Sequence, residues 1–435
     1  VIYDGILLPT FAIYYKYLYI LYKNLYTFFK KGTYMESKTV IAVIIAIIII
    51  AGIGAAVYYS VQAPPAPPKE KTIKIGVPAP LTGPAALIGS KMRAGATLAA
   101  DEINEKGGVL GMNITLIFGD TESKPEKGVA VVEKMITKDK VDVIIGFFHS
   151  SVVLAAEDVT HKYGVPLLVV SATSPKILEK GYEDVFRIVV NATSFSEGWA
   201  RFAKEYMLPK GLTKYAIIAE NTDWGRDMAR LVPEKLKGTN AELLSTDIVE
   251  VGTMDFYSTL TKYKTLGTDF VYAAITGASS YALITQADEL KVPGAFVFAI
   301  PDWQFPEAKK IVGDAMNLRV LDLVMYVPGA PLSPKSIPFT EAYKARYRED
   351  PSYVAAEQYD AIYFYVEAVK KAGTTDPKAV VKALHEMEFT GVRGTGLKFS
   401  KIGQLTPVIF MAQWQDGKPV VLWPEEHATG KYIPP

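Results

Sequence analysis

Cysteine is absent from all 435 residues, so no disulfide braces the fold and no lipid can be attached through a cysteine thiol. Histidine is nearly as scarce: His149, His161, His385 and His427 are scattered, and no two have metal-ligand spacing. Neither a metal nor a cofactor is expected. A charge excess is missing too, with 47 Lys and Arg against 46 Asp and Glu for a net charge of +1, so nothing points to nucleic acid. The chain has no Gly-x-Ser-x-Gly elbow, no His-Glu-x-x-His pair and no phosphate loop. Gly391-Val392-Arg393-Gly394-Thr395-Gly396 carries glycines in the wrong order for a dinucleotide fingerprint and follows a helical pattern.

What is present first is an unbroken apolar run of eighteen residues, Val40 to Val57. At about 1.5 Å per residue it reaches roughly 27 Å, close to the hydrocarbon thickness of a bilayer. Lys16, Lys23, Lys30, Lys31 and Lys38 precede it, whereas Lys69 and Lys71 after it flank Glu70, so the N-terminus is expected in the cytoplasm and everything after residue 61 outside. A cleaved signal peptide ending near Val61-Gln62-Ala63 is the competing reading. The run exceeds a usual signal-peptide apolar core, which favours a single-pass signal anchor in the cell membrane. Residues 1–38 are then a cytoplasmic N-terminal segment, with Met35 expected as the natural start, and 39–61 are the transmembrane anchor. Residues 62–72, with Pro64, Pro65, Pro67 and Pro68, read as a semi-rigid polyproline linker at about 3.1 Å per residue.

The remaining chain is too long for one core. Short β-rich runs alternate with amphipathic helical stretches, which argues for an α/β fold with parallel sheets covered by helices. Predicted strands include Thr72 to Val77, Asn113 to Phe118, Val141 to Phe147, Val165 to Val170, Tyr215 to Ala219, Asp269 to Ile275 and Ala295 to Ile300. Gly89 to Glu105, Val152 to Tyr163, Gly225 to Leu236 and Tyr353 to Lys371 read as helices. Polar, Gly-rich and Ser-rich loops follow the strands at Pro78 to Gly83, Phe148 to Ser151, Ser171 to Ser174, Asn221 to Gly225, Thr276 to Ser280 and Pro301 to Trp303. Open α/β sheets bind ligands at that end of their strands.

Ile75-Gly76-Val77 with Pro80-Leu81-Thr82-Gly83, then Glu102-Ile103-Asn104-Glu105-Lys106-Gly107-Gly108-Val109 and Gly111, resembles the opening of type I periplasmic binding proteins of the leucine/isoleucine/valine-binding branch, the substrate-binding proteins of ABC importers. Asp120-Thr121 with Pro125, Ser171-Ala172-Thr173-Ser174-Pro175, Phe186-Arg187, Trp224-Gly225 and Asp255-Phe256 follow in order. The resemblance spans about residues 72 to 423. It implies two Rossmann-like lobes joined by three crossings: 73–190 with 327–390, and 191–326 with 391–435. It also implies a small-molecule ligand clamped between the lobes, a membrane permease as partner, and binding rather than catalysis.

By the same resemblance Ser150, Ser171 and Thr173 match the residues that hold a ligand carboxylate, and Trp224 and Asp302 match those that hold the ammonium. Family members often carry Tyr and Glu at these last two places. Local chemistry suits the roles. Ser150 and Ser151 stand where a helix begins, so free N–H groups and hydroxyls converge on one point, although capping alone would also explain a serine there. Trp224 can face an ammonium through cation–π attraction, or serve as packing. Asp302 can attract an ammonium once water leaves, or cap the following helix. Ile88, Phe148, Ser151, Ala172, Thr276 and Gly277 are candidates for lining the pocket. His149 adjoins the site as a loop histidine that could tune it. The expected function is capture of a branched-chain or other amino acid, or a similar small zwitterion, by two-lobe closure. Binding of an amide, urea or aromatic acid by the same fold is the alternative, as is a ligand-sensing receptor; an external α/β hydrolase stands third.

Overall fold

The computed structural model describes residues 72–435 apart from Pro301, together with isolated positions between residues 16 and 52. Most of the apolar run Val40 to Val57 and the whole Pro-rich linker to residue 71 lie outside the described residues. Among those described, no helix is long and apolar enough to cross a membrane.

The chain enters through β1 (Thr72–Ala79) and α1 (Ala86–Glu105), then β2 (Asn113–Asp120), α2 (Pro125–Lys134), β3 (Val143–Gly146), α3 (Ser150–Tyr163), β4 (Leu167–Val169), the single turn α4 (Lys176–Glu179) and β5 (Val185–Arg187). These five strands form one parallel sheet in the order β2-β1-β3-β4-β5. The central strands are buried on both faces, as a parallel sheet wrapped by helices requires.

Asn191 N-caps α5 (Ala192–Phe202), accepting from the Ser194 N–H at 2.8 Å, and starts the second half. There follow β6 (Lys214–Glu220), α6 (Asp223–Leu236), β7 (Glu242–Val249), α7 (Tyr257–Leu266), β8 (Phe270–Ala274), α8 (Ala278–Glu289), β9 (Ala295–Phe298), α9 (Pro306–Val312) and β10 (Val320–Val324). Their sheet holds β10-β9-β8-β6-β7 in that order, with two later antiparallel strands added at the β10 edge. Its parallel part repeats the order of the first sheet, with β6 in the place of β1. In each sheet the chain therefore reverses direction across the first strand, and the loops beyond neighbouring strand ends open a crevice there.

The chain then returns to the first sheet. The helices α10 (Ser336–Tyr347), α11 (Tyr353–Ala372) and α12 (Pro377–Glu386) lead to the hairpin of β11 (Glu388–Gly391) and β12 (Gly394–Lys398). Helix α11 is buried along most of its length and packs on α1. Last come β13 (Phe410–Gln415) and β14 (Lys418–Trp423), which add antiparallel to β10 and close that edge.

Residues 391–405, expected in the second lobe, pack beside the first sheet and α11 instead, with β11 and β12 as a separate two-stranded sheet and residues 403–405 bonded to β5. Arg393 donates to Asp360 at 3.0 Å and to the Ile188 carbonyl at 3.0 Å, and Gln404 bridges to Arg187. The helical pattern before Gly391 thus ends in a hairpin, and the third crossing lies between Leu405 and Phe410. Strand β10 was not anticipated either, because Asp322 interrupts its apolar run. That carboxylate is buried inside the sheet, where the Trp414 indole N–H reaches it at 3.2 Å.

Candidate functional site

The backbone of Phe147 leaves β3 at a φ of 69°, a left-handed conformation that costs a bulky residue energy. The Phe147 ring stays in the core while its amide donates to the Pro78 carbonyl at 2.8 Å. This kink delivers Phe148, His149 and Ser150 to the start of α3. Ser150 Oγ accepts from the backbone N–H groups of Thr173 and Ser174, each at 3.1 Å, and so ties the loop after β3 to the loop after β4. Its lone pairs are used in this bond, which leaves the hydroxyl hydrogen free to donate. Ser171 Oγ donates at 2.5 Å to Glu357 on α11. The Thr173 hydroxyl and both ring nitrogens of His149 are buried with no partner among the described residues.

On the opposite side Thr222 N-caps α6, its hydroxyl accepting from the Gly225 N–H at 3.0 Å. A Cβ on Gly225 would stand 2.0 Å from the Glu220 carbonyl oxygen, so only glycine lets the helix start against the strand end with Trp224 turned to the cleft. Glu220, at the end of β6, accepts from the Thr276 N–H at 3.0 Å and its hydroxyl at 2.8 Å. Asp302 accepts from the Gly277 N–H at 2.6 Å and from the Tyr353 hydroxyl at 3.1 Å. Burial pushes the carboxyls of Glu220, Asp302 and Glu357 up to about 7.

Between the two sides lies a cavity of about 10 Å³ lined by Phe148, His149, Ser150, Ser171, Thr173, Thr222, Trp224, Thr276 and Ile300. That is room for about one water, so a solute enters only if the two sides part. The cavity brings together four of the five principal candidates, Ser150, Ser171, Thr173 and Trp224, with Phe148 and Thr276. Asp302 is not in the lining: it sits behind Gly277, held by its two hydrogen bonds. Ile88 is fully buried in the core on α1, and Ala172 packs in the cluster beneath the first sheet. Ser151 faces across the cleft rather than into the cavity.

Polar contacts join the two sides around this cavity. Ser151 Oγ donates to the Asp223 carboxylate at 3.1 Å and accepts from the Asp223 N–H at 3.0 Å. Lys176 Nζ reaches the same carboxylate at 2.9 Å, and Ser174 Oγ donates to Asp227 at 2.5 Å. On the far flank Lys91 pairs with Glu349 at 2.7 Å and approaches Glu307 on α9 at 3.7 Å. Asp120 holds a turn outside the site, accepting from the N–H groups of Leu81, Thr82 and Glu122.

Sequence reasoning missed Thr222, Ile300, Glu220, Tyr353 and Glu357. The first three carried a usable signal, since each lies at the C-terminal end of a strand that was predicted. Tyr353 and Glu357 come from a helix far along the chain. Their four-residue spacing puts them on one helical face, but nothing local says that face reaches the cleft.

The chain resembles known proteins over its described length. The periplasmic binding protein family profile matches residues 72–419. Leu/Ile/Val-binding protein homolog 7 of Brucella abortus is 29% identical over 379 residues, covering 84% of this chain and 95% of the relative. Among solved structures, the branched-chain amino acid transporter substrate binding protein LivJ from Streptococcus pneumoniae, in complex with isoleucine, is 25% identical with a TM-score of 0.74, covering 81% of this chain and 100% of that one. A solute binding protein of an ABC transporter from R. palustris, in complex with benzoate, shares the fold with a TM-score of 0.73 at 22% identity, covering 81% of this chain and 95% of that one. Two parallel sheets of matching strand order facing a common cleft, and a family profile that spans both, make this chain a member of the type I periplasmic binding proteins, in the Leu/Ile/Val-binding branch of solute-binding proteins rather than enzymes.

Proposed function

We propose that this chain is the extracytoplasmic solute-binding protein of an ABC importer and that it captures a branched-chain or similar amino acid by closing its two lobes. The observation that carries the reading is the opposition of two chemistries across one cleft. Donors from Ser150, Thr173 and the start of α3 face Trp224, with the carboxylates of Asp302 and Glu220 behind the second wall. A zwitterion would engage both walls at once, and a ligand that touches both stabilises only the closed form. Moving a population from mostly open to mostly closed takes about 5.5 kcal/mol of differential binding. The relatives' names and the isoleucine complex support the same ligand class.

An aromatic acid is the second reading. It is favoured by Phe148, Trp224 and Ile300 in the lining and by an Asp302 that is withdrawn behind Gly277 with its carboxyl pushed up to about 7. A thermal-shift screen with amino acids, their amides and aromatic acids, repeated on Asp302→Ala, separates the two. An amino acid that raises the melting temperature of the wild type and not of the variant supports the zwitterion. Stabilisation by benzoate in both proteins selects the aromatic acid. Silence from every acid would sink both. In this reading the run Val40 to Val57 tethers the domain outside the cell membrane, within reach of its permease.

A further inference from the structure

Three of the four histidines are accounted for by their surroundings. His161 pairs with Asp184 at 2.9 Å, His385 meets the Glu183 carbonyl at 3.0 Å, and His427 packs edge-on against Phe410. His149 differs. It is 7% exposed, stands edge-on to Phe148 with ring centroids 4.8 Å apart, lines the cleft cavity, and has no partner for either ring nitrogen among the described residues. Buried polar groups are almost always hydrogen-bonded, so an imidazole with two idle nitrogens at a cavity wall calls for something that arrives there.

The neighbouring groups define what that is. Thr173 Oγ1 is idle on the same wall, and Ser150 still has its hydroxyl hydrogen to give. Each can donate, His149 and Ser150 stand at the N-terminal end of α3, where free backbone N–H groups favour negative charge, Thr173 is tied to that end through Ser150, and no lysine or arginine lines the cavity. Such a wall seeks an acceptor with several lone pairs. We infer that His149 is a ligand-contact residue whose ring donates to the carboxylate of the bound solute beside Thr173 Oγ1, and that it makes the site choose an acid over the corresponding amide. An amide turns an NH₂ group toward one of these donors and leaves it unpaired, the situation that sites built on hydrogen bonds reject most strongly. The inference rests on the solute-binding reading above.

The ionisable groups that reach this cavity through a lining or neighbouring residue are five acids and one cation: Glu357 through Ser171, Glu220 through Thr276, Asp302 through Gly277, Asp223 through Ser151 and Asp227 through Ser174, with the Arg187 guanidinium donating to the Ser174 carbonyl at 2.6 Å. None pairs with the ring. Burial alone holds the imidazole down to about 4, so it is neutral in the free protein at pH 7, and a carboxylate docked against it favours its protonated form.

The test uses the full chain at pH 7, titrated calorimetrically with isoleucine, isoleucinamide, benzoate and benzamide. His149→Ala should weaken binding of whichever acid binds by about ten- to a hundredfold and that of its amide by far less, so that the acid-over-amide preference collapses. A folded variant that keeps both the acid affinity and the preference overturns the inference and leaves the function standing. If the variant does not fold, the ring proton of His149 is followed by NMR in the wild type, assigned by exclusion with His161→Gln, His385→Gln and His427→Gln. Saturating isoleucine or benzoate should move that signal and raise its titration midpoint from about 4; an unmoved signal overturns the inference. Failure of every acid and amide to bind the wild type is a distinct outcome, which removes the function and the inference together.

Discussion

Asp223→Ala deletes the acceptor at the centre of the contact between α3 and α6 without touching the cavity. Two interactions across the cleft go with it, while the Arg226 pair at 3.4 Å lies within α6 and cancels from closure. The Ser151 hydroxyl loses its bond to the carboxylate, and Lys176 loses its ion pair at 2.9 Å. A hydrogen bond to a charged group contributes about 1.5–3 kcal/mol, and at 3.1 Å with a partly solvated acceptor this one belongs at the lower end. The half-exposed lysine adds about 0.2–1 kcal/mol. The favourable placement of Asp223 in the first turn of α6 is the same whether the lobes are together or apart, so it cancels from the closure equilibrium. What remains is about 2 kcal/mol, roughly a thirtyfold shift toward the open form. Small-angle scattering of the free protein reads the shift as a larger radius of gyration if the wild type is mostly closed. If it is mostly open, the same energy appears as weaker binding of the solute, approaching thirtyfold in a titration. A double-mutant cycle with Ser151→Ala isolates the hydrogen bond. The pH dependence follows from a carboxyl that burial pushes up but that the bonds from Lys176 and Ser151 hold below its ordinary value of 3.8. A lowered pKa means that the contribution is complete above that ordinary value and fades as pH falls through the lowered one, so closure should not change between pH 6 and 8 on this account. An Asp223→Ala protein with both unchanged scattering and unchanged affinity would refute the reasoning.

Two further substitutions probe other parts of the same machinery. Glu357 is fully buried and its carboxyl is pushed from 4.5 up to about 7, so the unfolded chain releases its proton first and stability should fall as pH rises from about 4.5 to about 7, then level off. Glu357→Gln removes that titration while keeping an acceptor for Ser171; thermal melts across the window should show a shallower decline and a gain of about 3 kcal/mol at pH 8, and identical pH slopes in the two proteins would contradict this account. Gly277 sits at φ 60° and ψ −140°, and a Cβ there would come 2.9 Å from the Pro84 carbonyl oxygen on the opposite lobe. Gly277→Ala should therefore cost about 1–3 kcal/mol of stability and weaken solute binding as well, since the clash exists only when the lobes meet; a variant with wild-type melting and affinity would show that the closed arrangement does not need this glycine.

The parts of the fold legible in the sequence are those whose forces are local. The strand starting at Thr72 and the helix ending at Glu105 have apolar spacing strong enough to place them within a few residues, and the polar loops after β1, β3, β4, β6, β8 and β9 mark the binding end of both sheets. The edge strand β7 escaped because its burial is partial throughout, and β10 because a buried carboxylate broke its pattern. Of the site, Ser150, Ser171, Thr173 and Trp224 could be placed at the cleft because each sits at a helix start or in a loop at a strand end. What no local pattern carries is who occupies whose hydrogen bonds. Ser150 spends its lone pairs on the Thr173 and Ser174 amides, Ser171 is engaged by Glu357 from a helix about 190 residues away, and Asp302 is drawn behind Gly277 by Tyr353. Those serines and the aspartate are thus already engaged within the protein, and among the buried side chains that line the cavity the ones with no partner are His149 and Thr173. Since a solute gains most from groups that have no partner before it arrives, the residue that looked like an ordinary loop histidine has the greater claim to set the ligand's chemistry.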